Sequence, residues 1–279
     1  MNYQWYPGHM TKAKRMMEEN IKLIDIVIEV LDARIPFSSR NPDIDTLGKN
    51  KSRLILLNKS DLADEKVNKL WKEWFEEQGY FVVEVNARSG MGIRPINAIV
   101  KEACKEKIER DRKRGILNRP VGAMVIPNVG KSTFINSYAK KACTKTGNKP
   151  GVTKGKQWIK LSKEIELLDT PGILWPKFED QQVGLNLALT GSINDEILNI
   201  EELAGEFIRF MQNRYPGVIE ERYGIENCSD VIDAIENIAK VRGCLLKGGA
   251  YDTKKASRQI IDDFRNGKLG RISLETPVK

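Results

Sequence analysis

The apolar positions of the first 177 residues form short runs separated by helical patterns. The runs are rich in β-branched residues and leucine, as strands buried on both faces of a parallel sheet require. They lie at Ile24–Leu31, Arg53–Leu57, Tyr80–Val85, Ala123–Ile126 and Ile165–Leu168. Helical spacing is found at Lys66–Gln78, which Gly79 ends, and a further helix is predicted from Lys131 to about Lys141. This alternation predicts an α/β domain with a mostly parallel sheet and helices on both faces.

The pattern changes after residue 177. Residues 101–119 form a charged helix or linker inside the first region, and a composition break falls near Trp175 and Pro176. Beyond it the strand signals stop, and helical apolar spacing takes over at Asn194–Asn213, Asp230–Arg242 and Thr253–Asn266. We therefore predict two domains, an α/β domain over residues 1–177 and a C-terminal all-α domain over residues 178–279.

Composition restricts the class of protein. The chain has 279 residues, of which 41% are hydrophobic and 30% charged, so it can bury a core. It contains no apolar run of 18 residues and no secretion signal, so we expect a cytoplasmic protein without a membrane partner. Its four cysteines fit no metal spacing, and the single histidine, His9, excludes chemistry that needs two.

Charge is distributed unevenly along the chain. Residues 1–177 carry a net charge of +12, residues 178–239 a net charge of −10, and residues 240–279 a net charge of +6. A basic front and a basic tail suggest RNA or another polyanion as a partner, although a solvated surface would give a similar pattern.

One segment has the pattern of a phosphate-binding loop. It comprises Pro127, Asn128, Val129, Gly130, Lys131, Ser132 and Thr133, and it follows a predicted strand and opens a helix. Backbone N–H groups there would face phosphates, Lys131 would reach the β- and γ-phosphates, and the Ser132 hydroxyl would bind Mg²⁺. The pattern G-x-x-x-x-G-K-[ST] places its first glycine at position 125, which is Val125 here. Either the loop is modified, or a Gly-Ile pair is missing between Ile126 and Pro127.

A second motif follows the second strand and would recognise a base. It has the form N-K-x-D and comprises Asn58, Lys59, Ser60 and Asp61. The Asp61 carboxylate can accept two hydrogen bonds from guanine, and adenine offers neither donor, so this residue would select GTP over ATP. Asn58 would support the loop and Lys59 would pack along the base. Asn86 and Ala87, after the third strand, would place backbone N–H groups near the guanine carbonyl.

The last strand of the first domain ends in a D-x-x-G motif, Asp169 to Gly172. Asp169 would hold Mg²⁺ through water, and the Gly172 N–H would sense the γ-phosphate. Thr153 would supply a second hydroxyl to the metal. In an ordinary GTPase the phosphate loop comes first and N-K-x-D last, whereas here N-K-x-D comes first. Such an order preserves the same sheet if the termini are moved, which is a circular permutation.

These motifs together resemble those of a known family. The chain is similar to circularly permuted P-loop GTPases, and more closely to the bacterial ribosome biogenesis GTPase A family, over nearly its whole length. The resemblance also rests on segments outside the nucleotide motifs, namely Trp5–Met10, Asp32–Pro36, Leu168–Lys177 and Arg242–Leu245.

The resemblance implies a function and two further residue roles. The family acts in late assembly of the large ribosomal subunit, so we expect the subunit precursor and its rRNA as partners, no DNA, and weak GTP hydrolysis raised by pre-ribosomal particles. Because Ile173 occupies the position of the usual water-orienting glutamine, the resemblance gives catalysis to His9. It also implies Mg²⁺ as cofactor, and K⁺ held by Asn128.

Two other functions remain open at the level of sequence. Val125 and Ile173 would also suit a GTP-dependent RNA-binding scaffold that does not hydrolyse GTP. An ATP-driven P-loop enzyme is the third reading, against which Asn58 and Asp61 argue.

Overall fold

The computed structural model describes residues 18–116, 120–127, 130–139, 157–169, 180–226 and 230–277. These residues divide between two compact units. One contains the described residues up to Asp169 together with Ser273 and the residues after it, and the other contains those from Asp180 to Ile272. The sequence assigns residues 178–279 to one helical domain, so the structure differs in returning the last residues to the first unit.

The first unit is built on a six-stranded sheet. Its strands are β1 (Ile26–Asp32), β2 (Ser52–Asn58), β3 (Phe81–Val85), β4 (Val121–Pro127), β5 (Gln157–Lys160) and β6 (Ile165–Asp169). Their order across the sheet is β3-β2-β1-β4-β6-β5, and every neighbouring pair is parallel except β5 with β6. The five predicted strands and the mostly parallel sheet are confirmed.

Helices cover both faces of this sheet, as predicted. The helices described in this unit are α1 (Asp43–Leu47), α2 (Glu65–Glu77), α3 (Ile96–Ala103), α4 (Lys105–Lys113) and α5 (Lys131–Ala139). Alternate residues of a strand point to opposite faces. Accordingly, Leu31 and Leu57 pack with Trp71 of α2, whereas Val30 belongs to the cluster that contains Phe134 of α5. Burial on both faces explains why the strands read as continuous apolar runs.

Strand β5, helices α1 and α3, and the break between α3 and α4 were not predicted. Strand β5 is four residues long at the sheet edge, and its Trp158 is 43% exposed, so it carries no apolar run. The charged segment 101–119 is helical over α4, and a break at Cys104 separates α4 from α3.

The second unit is helical. Its helices are α6 (Gln181–Leu189), α7 (Ile200–Arg214), α8 (Val218–Tyr223), α9 (Val231–Val241) and α10 (Thr253–Arg265). The side chains of Asn199, Asp230 and Asp252 cap α7, α9 and α10 by accepting backbone N–H groups of the first turn. The three predicted helices are confirmed, and α6 and α8 are additional. Within the described ranges, no helix has both the length and the apolar character needed to cross a membrane.

Candidate functional site

The predicted nucleotide motifs follow strand ends on one edge of the sheet. Asp32 at the end of β1 is aligned with Asn58 at the end of β2, and Asn58 is aligned with Val85 of β3. On the other side of β1, Pro127 of β4 is aligned with Val30. The strand order reverses direction between β1 and β4. In open parallel sheets, ligands bind at the carboxyl ends of the strands at such a reversal, which makes this edge the candidate site.

The Asn58 side chain joins the base motif to the phosphate loop. Asn58 is buried, and its Oδ1 accepts a hydrogen bond of 3.0 Å from the Ala87 N–H. Its Nδ2 lies 2.7 Å from the position that a Cβ would occupy on Gly130. Gly130 also has a positive φ of 79°, which glycine adopts without strain. A side chain at position 130 would therefore displace Asn58, so close contact between the two motifs requires a glycine here.

Helix α5 begins directly after this glycine. The Phe134 N–H donates to the Gly130 carbonyl at 2.9 Å, and buried Phe134 and Ile135 anchor the helix beneath the sheet. Lys131, Ser132 and Thr133 form its first turn, at the positive end of the helix dipole. A helix start of this kind attracts phosphate, and the Ser132 hydroxyl is of the type that binds Mg²⁺ beside it.

Val125 does not occupy a turn. It lies inside β4, aligned with Ile28 and fully buried in the core. The strand continues to Pro127, so three residues connect it to the first residue of α5. Positions 125–127, where the pattern would begin its loop, therefore belong to strand β4 in this protein.

The base motif occupies the turn after β2. Ser60 is held in place because its N–H and its hydroxyl both donate to the Val85 carbonyl, each at 3.2 Å. Lys59 has a positive φ of 58°, and Asp61 is exposed at the surface. The carboxylate predicted to accept hydrogen bonds from guanine thus lies where a ligand can reach it.

The backbone N–H groups of Asn86 and Ala87, which are expected near the guanine carbonyl, both have partners within the protein. The Asn86 N–H donates to the Met91 carbonyl at 3.1 Å, and the Ala87 N–H is the one held by Asn58. The Asn86 Oδ1 accepts the N–H groups of Arg88 and Ser89. The Asn86 N–H thus bonds within its own loop, and the Ala87 N–H links this loop to the turn after β2 through Asn58.

The remaining predicted residues are placed in part or lie outside the described ranges. The Asp169 backbone ends β6, next but one to β1 in the sheet and beside β4. The following residues lie outside the part of the chain that the structure describes: His9, Asn128, Val129, Thr153 and Gly172. Within the described ranges, no group of three or more His, Cys, Asp or Glu side chains could hold a metal by itself.

Sequence reasoning gave no role to the segment that follows β1. The Asp32 carboxylate accepts the Arg34 Nε at 2.9 Å and Nη2 at 2.8 Å, and the Lys59 Nζ lies 3.0 Å from its Oδ2. Burial raises the pKa of Asp32, but the attraction of Arg34 and Lys59 outweighs it and holds that pKa below its usual range. The sequence does single out this segment, because residues 32–36 are among those on which the family resemblance rests.

A C-terminal strap, residues 273–277, packs on the same segment. The Leu274 N–H donates to the Arg34 carbonyl at 2.9 Å, and the Trp71 indole donates to the Glu275 carbonyl at 3.3 Å. The Glu275 carboxylate accepts the N–H groups of Phe37 and Ser38 and the Ser38 hydroxyl. These contacts explain why the end of the chain belongs to the first unit.

Comparison with known proteins identifies a family of GTPases. A family profile described as "50S ribosome-binding GTPase" matches residues 121–240, which begin with β4. Ribosome biogenesis GTPase A of Bacillus cereus is 50% identical over 99% of this chain and 95% of its own length. The protein of that name from Thermotoga maritima is 35% identical over 98% of this chain and 94% of its own length.

Solved structures extend the likeness to the fold. A GNP-bound crystal structure of YlqF from Thermotoga maritima has a TM-score of 0.65 at 30% identity, covering 95% of this chain and 98% of that one. A GDP-bound YlqF structure has a TM-score of 0.66 at 29% identity, covering 94% and 99%. The strand order and the motif order agree with a circularly permuted P-loop GTPase fold. The chain belongs to the ribosome biogenesis GTPase A family, whose members are GTP-hydrolysing enzymes.

Proposed function

We propose that this GTPase binds the immature large ribosomal subunit and hydrolyses GTP to drive or check a late assembly step. The proposal that the protein binds GTP at this edge rests on one contact: the Asn58 side chain bonds to the Ala87 N–H and lies against Gly130. Base recognition and phosphate binding thereby share one edge of the sheet, despite their reversed order along the chain.

The residues at this edge fit a guanine nucleotide with Mg²⁺. Asp61 accepts the guanine N–H groups, and Lys131 faces the β- and γ-phosphates from the first turn of α5. Ser132, Thr153 and Asp169 are the proposed Mg²⁺ residues, and Asn128 is the proposed K⁺ residue. When bound, the metal ion neutralises charge that develops on the phosphates.

Catalysis is assigned to His9, which orients the attacking water. The position after Gly172 is Ile173, which has no group for this task. A histidine can donate or accept a hydrogen bond near neutral pH. Positioning of this kind contributes only when the partner particle brings the residue to the nucleotide, so turnover by the protein alone is slow.

RNA binding is assigned to exposed basic residues near the C-terminus. Lys240, Lys247, Lys254, Lys255 and Arg258 are exposed. Arg265, which is also basic, is engaged within the helical unit instead, because it donates to the carbonyls of Ala188 and Leu189 and pairs with Asp195. Phosphate contacts by the exposed set would make RNA binding weaken steeply as salt increases.

Single-turnover hydrolysis tests the enzymatic proposal. We expect slow GTP hydrolysis by the protein alone and faster hydrolysis with purified large-subunit precursors, with mature subunits as the control. His9→Ala should keep GTP affinity and lose the stimulated rate. If His9→Ala retains full stimulated turnover, the histidine has no catalytic role.

The alternative is a GTP-dependent RNA-binding scaffold that does not turn over. The three-residue connection between β4 and α5 favours it, because it shortens the phosphate loop relative to the pattern. Co-sedimentation with precursors in the presence of a non-hydrolysable analogue is expected for both functions. The single-turnover assay separates the two functions, because a scaffold forms no phosphate from GTP with or without precursors.

A further inference from the structure

Lys59 is held by an acidic residue outside the base motif. Lys59 is the one non-glycine residue with a positive φ in the described ranges, a backbone conformation that is strained for a residue with a Cβ. Its ammonium group lies 3.0 Å from Asp32 Oδ2, and its side chain is 32% exposed. The backbone and the ammonium group are thus both fixed, while part of the side chain faces solvent.

The Asp32 carboxylate binds two positively charged side chains, those of Arg34 and Lys59. Asp32 is fully buried at the end of β1, and its own N–H donates to the Ser39 hydroxyl at 3.0 Å. Arg34, only 1% exposed, binds both carboxylate oxygens. One buried carboxylate therefore faces two positive charges, and the partly exposed one is Lys59. Charge-assisted bonds of this kind fix geometry as well as contribute energy.

The position of this cluster connects it to the nucleotide edge. Asp32 is aligned with Asn58, the residue before Lys59, and Asn58 in turn contacts Gly130. Lys59 also lies two residues before Asp61 in the same turn. Fixing the lysine in advance removes the entropy cost of ordering a long side chain when the base binds.

We propose that Asp32 is a positioning residue for guanine-nucleotide binding, which holds the Lys59 side chain so that its alkyl stem packs against the base. The proposal rests on the proposed function, because it takes the turn after β2 as the base site. Arg34 keeps the Asp32 carboxylate in place. Asp32 itself does not touch the nucleotide.

A double-variant cycle tests the pair. The dissociation constant of a fluorescent GDP analogue is measured for the wild type, Asp32→Asn, Lys59→Met and the double variant. Lys59→Met keeps the stem and removes the group that binds Asp32. We expect each single variant to weaken binding about tenfold, and the double variant to bind no more weakly than Lys59→Met alone.

A matched control separates positioning from general loss of stability. Asp263, in the other unit, is a buried carboxylate that likewise holds an arginine and a lysine, Arg222 and Lys268. Asp263→Asn should lower the melting temperature and leave GDP affinity within about twofold of the wild type. If Asp32→Asn does not fold, Asp32→Glu keeps the charge beside Arg34 and must weaken binding in the same Lys59-dependent way.

The outcomes are distinct. A wild type that binds no guanine nucleotide contradicts the proposed function. If the wild type binds the GDP analogue and Asp32→Asn, or Asp32→Glu in its place, binds it equally well, the positioning role of Asp32 is overturned. Equal losses in the presence and absence of Lys59→Met overturn it too, since Asp32 would then act on the fold alone.

Discussion

Gly130→Ala probes the contact on which the shared nucleotide site depends. A Cβ at this position meets Asn58 Nδ2 at 2.7 Å, and the backbone φ of 79° is unfavourable for alanine. The backbone conformation costs about 1–2 kcal/mol. Moving the Asn58 amide also breaks its hydrogen bond with the buried Ala87 N–H, which costs about 1–3 kcal/mol more.

Gly79 supplies a matched control. Its φ is 81°, and no atom lies within 4 Å of the Cβ that alanine would add. Gly79→Ala therefore has the backbone cost without the steric one. We expect urea unfolding to show a loss of about 1–2 kcal/mol for Gly79→Ala and a larger loss for Gly130→Ala. Titration with a fluorescent GDP analogue should show at least a tenfold loss of affinity for Gly130→Ala only.

Asn58→Ala completes the test, because it removes the amide that the new methyl group would meet. In that background, Gly130→Ala should cost no more than Gly79→Ala does in the wild type. If Gly130→Ala destabilises the protein by the same amount with and without Asn58, the two residues are not in contact. The idea of one site built from both motifs would then fail.

Four further predictions concern other parts of the first unit. Asp61→Asn should move nucleotide preference from GTP toward xanthosine triphosphate in a competition assay, and an unchanged preference would contradict base recognition by Asp61. Glu275→Ala leaves two backbone N–H groups without their carboxylate and should lower unfolding free energy by about 1–2 kcal/mol in urea, with no loss counting against the strap. The pKa of Asp32 is lower in the folded than in the unfolded protein, so its contribution to stability is present above about pH 4 and is lost as pH falls; Asp32→Asn should therefore flatten the acid limb of a stability profile, and an unaltered slope would refute this. Burial and the nearby Asp25 raise the pKa of the Cys104 thiol to about 11, so alkylation at pH 8 followed by peptide mapping should leave Cys104 unmodified until the protein is unfolded.

Local patterns were sufficient to predict most of the sheet. Strands β1 and β2 are buried on both faces, so each gives a continuous apolar run, and the alternation with helices indicates parallel pairing. Strand β5 gave no such signal because it is short and its Trp158 faces solvent. The break between α3 and α4 was not predicted, because the charged residues from position 101 onward suit a helix or a linker equally well and mark no boundary at Cys104.

Contacts between distant residues were harder to predict. The position of each nucleotide motif after a strand indicates that both lie at one edge of the sheet, but the contact of Asn58 with Gly130 was not predicted. The pairing of Asp32 with Lys59 depends on register between two strands, and that register puts Asp32 beside Asn58. Nothing in the local sequence around Glu275 indicates that it binds a loop more than 230 residues earlier.

Because residues from Ser273 onward belong to the first unit, that unit cannot be isolated as one continuous fragment of the chain. A fragment that stops at residue 177 lacks Leu274 and Glu275, so the Arg34 carbonyl and the Trp71 indole lose the partners they have in the whole chain. The helical unit is thus an insertion with two covalent attachments rather than an appendage with one. A fluorophore or affinity handle attached at residue 277 would be joined to the nucleotide-binding half, and a protein cut at residue 177 would keep the contacts of that half only if residues 273–277 were grafted back.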